Sequence, residues 1–268
     1  MGAVRPPPPD PCAGDQPGRY DRDILHGLLL PPDGRILELG SGTGEFTARL
    51  APLVPRGEVI GVDADRDVVA AARLRAEDRR LSFHVCRLPD IGCLVAEESV
   101  DLVVSRGVLH RLPAAEHPAL LSAVYRVLRP GAAFRAELSG AGQLAAIRRI
   151  ADAEAAAVGG APPGWYLPSP EEYRPLLLAA GFQLQPDGWV HLLHQRRVLR
   201  GEAEVVGLLR GQVLPPYVAG LAAAVVPRFR RRVEERVLGE LRTPDGCCCP
   251  DFVRLELCAH RPAADFLI

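Results

Sequence analysis

The chain has 268 residues, of which 48% are hydrophobic and 24% are charged, and its formal net charge is -1. This is an ordinary globular composition, long enough for one α/β domain with an insertion. The balanced charge gives no indication of a nucleic-acid or membrane partner. No apolar stretch reaches the roughly 18 residues that a membrane-spanning helix needs. We therefore expect a protein that works on neither nucleic acid nor a membrane.

The cysteines and histidines predict no metal site and a reducing compartment. Seven cysteines occur, three of them adjacent at 247–249, and none form a C-x-x-C pair. This spacing argues against zinc. His191 and His194 would point to opposite faces of a strand. The odd cysteine count, together with an N-terminus that has no basic segment leading into an apolar core, predicts a cytoplasmic protein.

The N-terminal segment is divided into a tail and a helix. Residues 1–18 are rich in proline, which predicts an extended or disordered tail. An amphipathic run over 20–30 predicts a helix that ends at Pro31 and Pro32.

The most informative stretch runs from Arg35 to Glu45. Its apolar half predicts a buried parallel strand, and glycines then follow at positions 40, 42 and 44 before a helical pattern begins. Glycine has no Cβ to hold a ligand away and accepts a positive φ angle. The free N–H groups at a helix start favour polar or negative ligand groups. The spacing G-x-G-x-G differs from the G-x-G-x-x-G fingerprint of dinucleotide-binding proteins.

Two acids flank this turn. Glu38 precedes the first glycine by two residues, and the segment Val59–Asp63 predicts a second strand that ends in a carboxylate. A carboxylate at that strand end can accept hydrogen bonds from both hydroxyls of a ribose. The two strands and the glycine turn therefore predict a nucleoside site.

The pattern Glu38-x-Gly40-x-Gly42-x-Gly44, followed by Gly61-Val62-Asp63, resembles the class I S-adenosylmethionine-dependent methyltransferases. The resemblance covers most of residues 20–262 and includes Leu128-Arg-Pro-Gly131 before a strand. It implies an α/β, Rossmann-like fold with a seven-stranded, mostly parallel sheet, an antiparallel C-terminal strand and a helical cap insertion. It also implies S-adenosylmethionine as cofactor. The cofactor-binding residues it implies are Glu38, Gly40, Ser41, Gly42, Gly44, Asp63, Ala64, Arg87, Leu88 and Ser105.

Arg87 is a departure from the family pattern. The turn after the third strand usually carries an acid that accepts a hydrogen bond from the adenine amino group, and Arg87 has that place here. A guanidinium has no acceptor. The contact must therefore be absent or come from another residue, such as Asp90.

The rest of the chain alternates helices and strands. Strands are expected at 81–85, 101–105, 132–138, 182–185 and 252–258, and helices at 67–79, 118–128, 144–158 and from a capping box at Ser169. Residues 186–250 read as an inserted helical cap. The expected organisation is a tail over 1–18, one domain over 19–262 and a second tail over 263–268.

Residues 165–173 and 180–182 are similar to the small-molecule branch of the family that includes trans-aconitate methyltransferase. In that branch the inserted helices cover a small, often acidic, substrate. The branch usually has a tryptophan in the cap helix, and Val205–Arg210 has none. The identity of the substrate therefore does not follow from the resemblance.

The candidate catalytic residues are His110, Arg106 and Tyr20. A carboxylate acceptor needs no base, whereas a phenol, an alcohol or an ammonium does. His110 could be that base or could only pack at the end of its loop. Arg106 could clamp a carboxylate or form a surface ion pair. These possibilities stay open from sequence alone.

The function that the sequence favours is methyl transfer to O, N or C of a small-molecule acceptor, in secondary metabolism, by a monomer or homodimer. Two alternatives remain. One is a non-catalytic S-adenosylmethionine-binding protein, and the other is a cyclase that uses the bound cofactor electrostatically.

Overall fold

The fold was analysed in a computed structural model, which describes residues 24–243 and 246–263. The predicted tail over 1–18 lies outside these residues, as does nearly all of the tail predicted for 263–268.

The described residues form a large sheet, a two-stranded ribbon and helices around them. The strands are β1 (Arg35–Leu39), β2 (Glu58–Asp63), β3 (Leu81–Val85), β4 (Val100–Arg106), β5 (Leu128–Ser139), β6 (Trp189–Arg196), β7 (Leu199–Arg200), β8 (Cys247–Cys248) and β9 (Asp251–His260). The helices are α1 (Glu45–Leu50), α2 (Arg66–Arg75), α3 (His117–Val127), α4 (Ala145–Ala157), α5 (Pro170–Ala179), α6 (Glu202–Leu208), α7 (Pro215–Ala219) and α8 (Val226–Glu240).

The large sheet confirms the expected fold class. Its seven strands run in the order β3-β2-β1-β4-β5-β9-β6. The first five pair in parallel, and β9 is antiparallel to both β5 and β6. The central strands are mostly apolar because helices cover both faces of the sheet. The carboxyl ends of β1, β2 and β4 therefore meet at one edge, where ligands of open α/β sheets bind.

The cap is built around a second core. Helices α4, α6, α7 and α8 bury an apolar cluster that is separate from the clusters against the sheet. Glu154 fixes two of these helices to each other, because this buried acid on α4 pairs with Arg232 and Arg236 on α8 at 2.5 and 3.0 Å. The bounds of the cap insertion, 186–250, stay a prediction. Strand β6 lies inside them and yet belongs to the large sheet.

The strand predicted for 182–185 is wrong. Only Gln183 forms an isolated bridge, to His260. The apolar side chains that alternate in this segment enter the core as the chain leaves α5, and Pro186 has no N–H with which to continue a ladder. The strand beside β9 is instead β6, whose polar residues masked its apolar alternation in the sequence.

The helix predicted for 20–30 is shorter within the described residues. Helical conformation there covers only Ile24 and Leu25, and Gly27 has a φ angle of +72°. The capping box at the start of α5 is confirmed, because the Ser169 hydroxyl accepts from the Glu172 N–H and Glu172 accepts from the Ser169 N–H.

Candidate functional site

The glycine turn joins β1 to α1 and lies close to its neighbours. Its first glycine, Gly40, has a φ angle of +78°, and a Cβ there would come within 2.4 Å of Val108. The N–H groups of Gly40 and Ser41 both donate to the Val62 carbonyl of β2, at 2.7 and 3.0 Å. A Cβ built at Gly42 meets no atom within 4 Å, so this position faces open space. The turn is therefore held on one side by β2 and open on the other.

Asp63 connects this turn to the end of β2. One of its carboxylate oxygens accepts from the Gly42 N–H and the other from the Asp65 N–H, both at 3.0 Å. Because each carboxylate oxygen has a second lone pair, both can still accept a hydroxyl. The carboxylate is thus oriented before any ligand arrives.

Glu38 lies beneath the turn and is only 2% exposed. The Thr47 hydroxyl of α1 donates to it at 2.5 Å. Burial raises the pKa of Glu38 to about 8; the Thr47 hydrogen bond opposes this, and the charge of Asp63 adds to it. Glu38 is therefore mostly protonated at neutral pH when no cationic group lies beside it.

The remaining residues predicted to bind the cofactor fall into two sets. Ser41 and Ser105 are buried near the turn; the Ser41 hydroxyl has no hydrogen-bond partner among the described residues, whereas Ser105 donates to the Leu39 carbonyl at 2.9 Å. Ala64 is exposed immediately after Asp63. Their roles stay predictions.

Arg87 and Leu88 follow β3 at the same edge. Leu88 is 5% exposed and packs in the core, whereas Arg87 is largely exposed and donates to Glu116 at 3.2 Å. The guanidinium of Arg87 is thus directed to a carboxylate on the loop before α3. Asp90, the alternative acceptor, is also exposed.

A cavity of about 730 Å³ opens beside the ends of β4 and β5. Its walls come from the loop after β4, from β5, from α4 and from the cap, whose π-helical turn Leu209–Val213 contributes Gln212 and Val213. Its lining carries far more positive than negative charge. Among the described residues that line it, one acid, Glu137, stands against six arginines: Arg49, Arg106, Arg111, Arg148, Arg197 and Arg254.

Aromatic rings support three of these guanidinium groups. Arg106 lies 4.6 Å from the ring centroid of Phe46, Arg148 lies 5.5 Å from that of Trp165, and Arg197 lies 5.1 Å from that of Phe252. A ring under a guanidinium restricts its position.

Arg106 and Glu137 are register partners at the ends of β4 and β5. Glu137 is 7% exposed and accepts from Arg254 of β9 at 2.9 Å. The acid of the cavity is therefore engaged by an arginine of the same cavity, which leaves the lining positive.

His110 lines the cavity from the short turn Leu109–Arg111 after β4. Its Nδ1 accepts from the Ser139 N–H at 3.4 Å, so the ring proton of the neutral imidazole is on Nε2. Burial, with a smaller effect of the Arg111 charge, lowers the pKa of His110 to about 4. His110 is thus a neutral hydrogen-bond donor near pH 7 and a poor proton acceptor.

The structure brings two of the three predicted catalytic residues, Arg106 and His110, to one cavity. Tyr20 lies outside the described residues. The other five arginines were missed by the sequence analysis. No motif marks them, because they are scattered over the chain, and every one of the 32 basic residues in this chain is an arginine.

Comparisons with known proteins agree with this geometry. A family model described as a methyltransferase domain matches residues 36–131, which contain the glycine turn, β2 to β4 and all but the first residue of β1. Two relatives match nearly end to end. The trans-aconitate 2-methyltransferase of Methylobacterium nodulans is 29% identical over 92% of this chain and 94% of its own length. That of Variovorax paradoxus is 27% identical over 93% and 95%.

Solved structures show the fold. Phosphoethanolamine N-methyltransferase 2 of Haemonchus contortus superposes with a TM-score of 0.58 and 18% identity over 91% of this chain, which spans only 52% of that protein. The [4+2]-cyclase SpnF superposes with a TM-score of 0.57 and 16% identity over 92% of this chain and 82% of its own. Proteins with this fold therefore catalyse more than one kind of reaction.

The fold, the glycine turn and the matching domain define an S-adenosylmethionine-dependent methyltransferase. Within that class, the chain is a relative of the trans-aconitate 2-methyltransferases. Its cofactor is S-adenosylmethionine. No helix within 24–243 and 246–263 has both the length and the apolarity needed to cross a membrane.

The residues present fit this cofactor. Asp63 offers two oriented oxygens for a ribose, and Gly42 leaves open space in front of the turn. The buried Ser41 hydroxyl lacks a partner within residues 24–243 and 246–263, and Glu38 is a buried acid that a cationic group would stabilise in its ionised form.

Proposed function

We propose that this enzyme transfers the methyl group of S-adenosylmethionine to a carboxylate oxygen of a small organic acid and forms a methyl ester. The observation that carries the proposal is the arginine-lined cavity at the end of β4. Six guanidinium groups against one engaged acid favour an anionic acceptor and disfavour an amine, which would enter this cavity as a cation.

The chemistry of the cavity supports a carboxylate over an alcohol or a phenol. Those acceptors need a base to remove a proton, whereas a carboxylate is already ionised at neutral pH. The Nδ1 of His110 is engaged by Ser139 and its pKa is lowered to about 4, and Glu137 is paired with Arg254. Neither group is suited to take a proton at neutral pH.

When bound, S-adenosylmethionine supplies an electrophilic methyl group on a sulfonium. The task left to the chain is to orient one anionic oxygen and to exclude water. Arg106, steadied by Phe46, is placed to donate to the acceptor carboxylate at the end of β4. His110 can donate its Nε2–H to the same group.

The relatives point in the same direction. The name trans-aconitate describes a tricarboxylate, and the enzymes of that name match more than nine-tenths of this chain. We propose a small organic acid of this general kind as the acceptor. Its identity, a place in secondary metabolism and a cytoplasmic location stay predictions, as do the absence of nucleic-acid and membrane partners and the monomer or homodimer state.

The test uses radiolabelled S-adenosylmethionine and a panel of carboxylic acids, phenols, alcohols and amines. We expect label to enter carboxylic acids only, and mild alkali to release it as methanol because methyl esters are labile to base. Label that resists alkali, or that enters only phenols or amines, would contradict the proposal. Cofactor binding with no labelled product from any class would favour the cofactor-binding protein or the cyclase instead.

A further inference from the structure

Arg148 reaches the cavity from a different part of the fold than Arg106 and His110 do. It lies on α4, whose apolar face belongs to the core of the cap, whereas Arg106 and His110 belong to the edge of the sheet. All three residues line the same cavity. The cavity therefore has a cationic group on its cap side as well as on the side expected to hold the reacting oxygen.

Aromatic residues of the cap region hold Arg148 in position. Its guanidinium lies over the ring of Trp165, and Trp165 makes an edge contact with Tyr217 of α7 at 5.9 Å between centroids. The Tyr217 hydroxyl donates to Asp152 at 2.5 Å, one turn after Arg148 on α4. The guanidinium is thus fixed by a ring on one side and by the Tyr217–Asp152 pair nearby.

The polar groups of Arg148 are incompletely satisfied. Its Nε is buried and has no hydrogen-bond partner among the described residues. Asp152, the acid one turn away, is already engaged by Tyr217. Burial, the bond to Asp152 and the Asp152 charge raise the pKa of Tyr217, against smaller opposite effects of the Arg148 charge and of its hydrogen bond to Tyr217, so Tyr217 stays a hydroxyl. A held, partly buried cation whose Nε–H has no partner among the described residues is stabilised by an anion that enters the cavity.

We propose that Arg148 is a specificity-determining residue that binds a second anionic group of the acceptor, remote from the carboxylate that receives the methyl group. This inference rests on the proposed methylation of an organic acid. It means that the preferred acceptor carries at least two anionic groups. A carboxylate and a phosphonate are alike in this respect, and the acceptors compared below distinguish them.

The matched control is the neighbouring residue. Arg149 lies on the same helix, is exposed, does not line the cavity, and pairs with Glu240 at 3.3 Å. Arg149→Gln removes the same charge from α4 one residue away. A difference between Arg148→Gln and Arg149→Gln therefore reports the cavity and not the overall charge of the helix.

The experiment compares glutarate, phosphonobutyrate and tricarballylate with pentanoate, which has one carboxylate on a chain of the same length as glutarate. Binding is measured by calorimetry in the presence of S-adenosylhomocysteine, and KM and kcat are measured where turnover occurs. We expect Arg148→Gln to weaken the binding of the polyanionic acids by about 50-fold, with kcat changed little and pentanoate unaffected. Arg149→Gln should change none of these values.

Several outcomes would overturn the inference. These are equal loss for pentanoate and the polyanionic acids, no loss in Arg148→Gln, or a parent enzyme that binds glutarate and tricarballylate no better than pentanoate. Weaker binding of phosphonobutyrate than of glutarate would identify the second group as a carboxylate. If Arg148→Gln does not fold, Arg148→Lys decides, because it keeps the charge but loses the planar fork. It should lose about 10-fold in affinity for the polyanionic acids alone.

The failure of this inference is distinguishable from the failure of the proposed function. A parent enzyme that binds tricarballylate through Arg148 but forms no methyl ester would contradict the proposed function and leave the anion subsite standing. Ester formation that does not change when Arg148 is substituted would contradict this inference and leave the proposed function standing.

Discussion

The cofactor site and the acceptor cavity are built in opposite ways. The cofactor site is formed largely by backbone atoms and two acids within the span from Glu38 to Asp63. The acceptor cavity is formed by side chains that come from positions 49 to 254 and from both cores of the molecule. One is negative and nearly continuous in sequence, and the other is positive and dispersed. We therefore expect a local motif to bind the donor and tertiary placement to decide acceptor choice.

The largest effect is expected at the cofactor site. Asp63→Ala removes two oriented oxygens that we predict to accept from the ribose hydroxyls, each bond to a charged group being worth about 2 kcal/mol. We expect affinity for S-adenosylmethionine to fall by about 1000-fold, measured by calorimetry. Asp63→Asn, which keeps the shape but loses the charge and one acceptor, should lose less. Unchanged affinity in Asp63→Ala would show that the cofactor does not bind at Asp63.

Glu38, the buried acid of the cofactor site, should make the stability of the protein depend on pH. Its pKa is raised from 4.5 to about 8, so its contribution to stability is complete below pH 4.5 and is lost as the pH rises to about 8. Glu38→Gln cannot ionise. Between pH 5 and 9, without cofactor, the free energy of unfolding should fall by about 4 kcal/mol more in the parent than in this variant.

Chemical denaturation at both pH values measures this difference. Glu45→Gln, which removes an exposed acid at the start of α1, controls for the loss of one negative charge. Parallel pH dependence in the parent and in Glu38→Gln would show that Glu38 stays ionised in the folded chain.

His110 gives the smallest effect, on the acceptor side. Its pKa is lowered from 6.5 to about 4, so its contribution to stability is present above pH 6.5 and is lost as the pH falls towards 4. From pH 7 to 5 the parent should lose about 2 kcal/mol of unfolding free energy more than His110→Gln. Identical losses in the two proteins would contradict the lowered pKa.

The pH dependence of catalysis shows whether His110 acts as a hydrogen-bond donor or as a base. If His110 only donates its Nε2–H, the pH profile of kcat/KM with a carboxylic acid has the same acid limb in the parent and in His110→Gln, and His110→Gln retains activity within about 10-fold. An acid limb that the parent shows and His110→Gln loses would make His110 the base.

The contrast also explains what the sequence could reveal. The glycine turn, the acid after β2 and the continuous apolar strands are local patterns, and they predicted the sheet. The strand β6 was missed because its histidines and glutamine hide its alternation, and residues 182–185 imitated a strand by sending two apolar side chains into the core. Both errors come from the same choice: two similar apolar segments could pair with β9. Only tertiary packing decides which of them does.

The acceptor cavity was beyond prediction for a related reason. Arg106 and His110 were identified because they follow β4, where ligands of such sheets bind. Arg148 and Arg197 reach the cavity from α4 and from the residues after β6, and no spacing in the sequence connects them. In a chain whose basic residues are all arginines, a single arginine carries little information.

Donor and acceptor are proposed to meet at one edge of the sheet, the donor on Asp63 and the acceptor among the arginines. A crystal structure with S-adenosylhomocysteine and tricarballylate decides this. We predict the ribose hydroxyls on the Asp63 carboxylate, and the tricarboxylate inside the cavity, with one group near Arg106 and His110 and another on Arg148. A nucleoside bound away from Asp63, or a tricarboxylate found only outside the cavity, would contradict it.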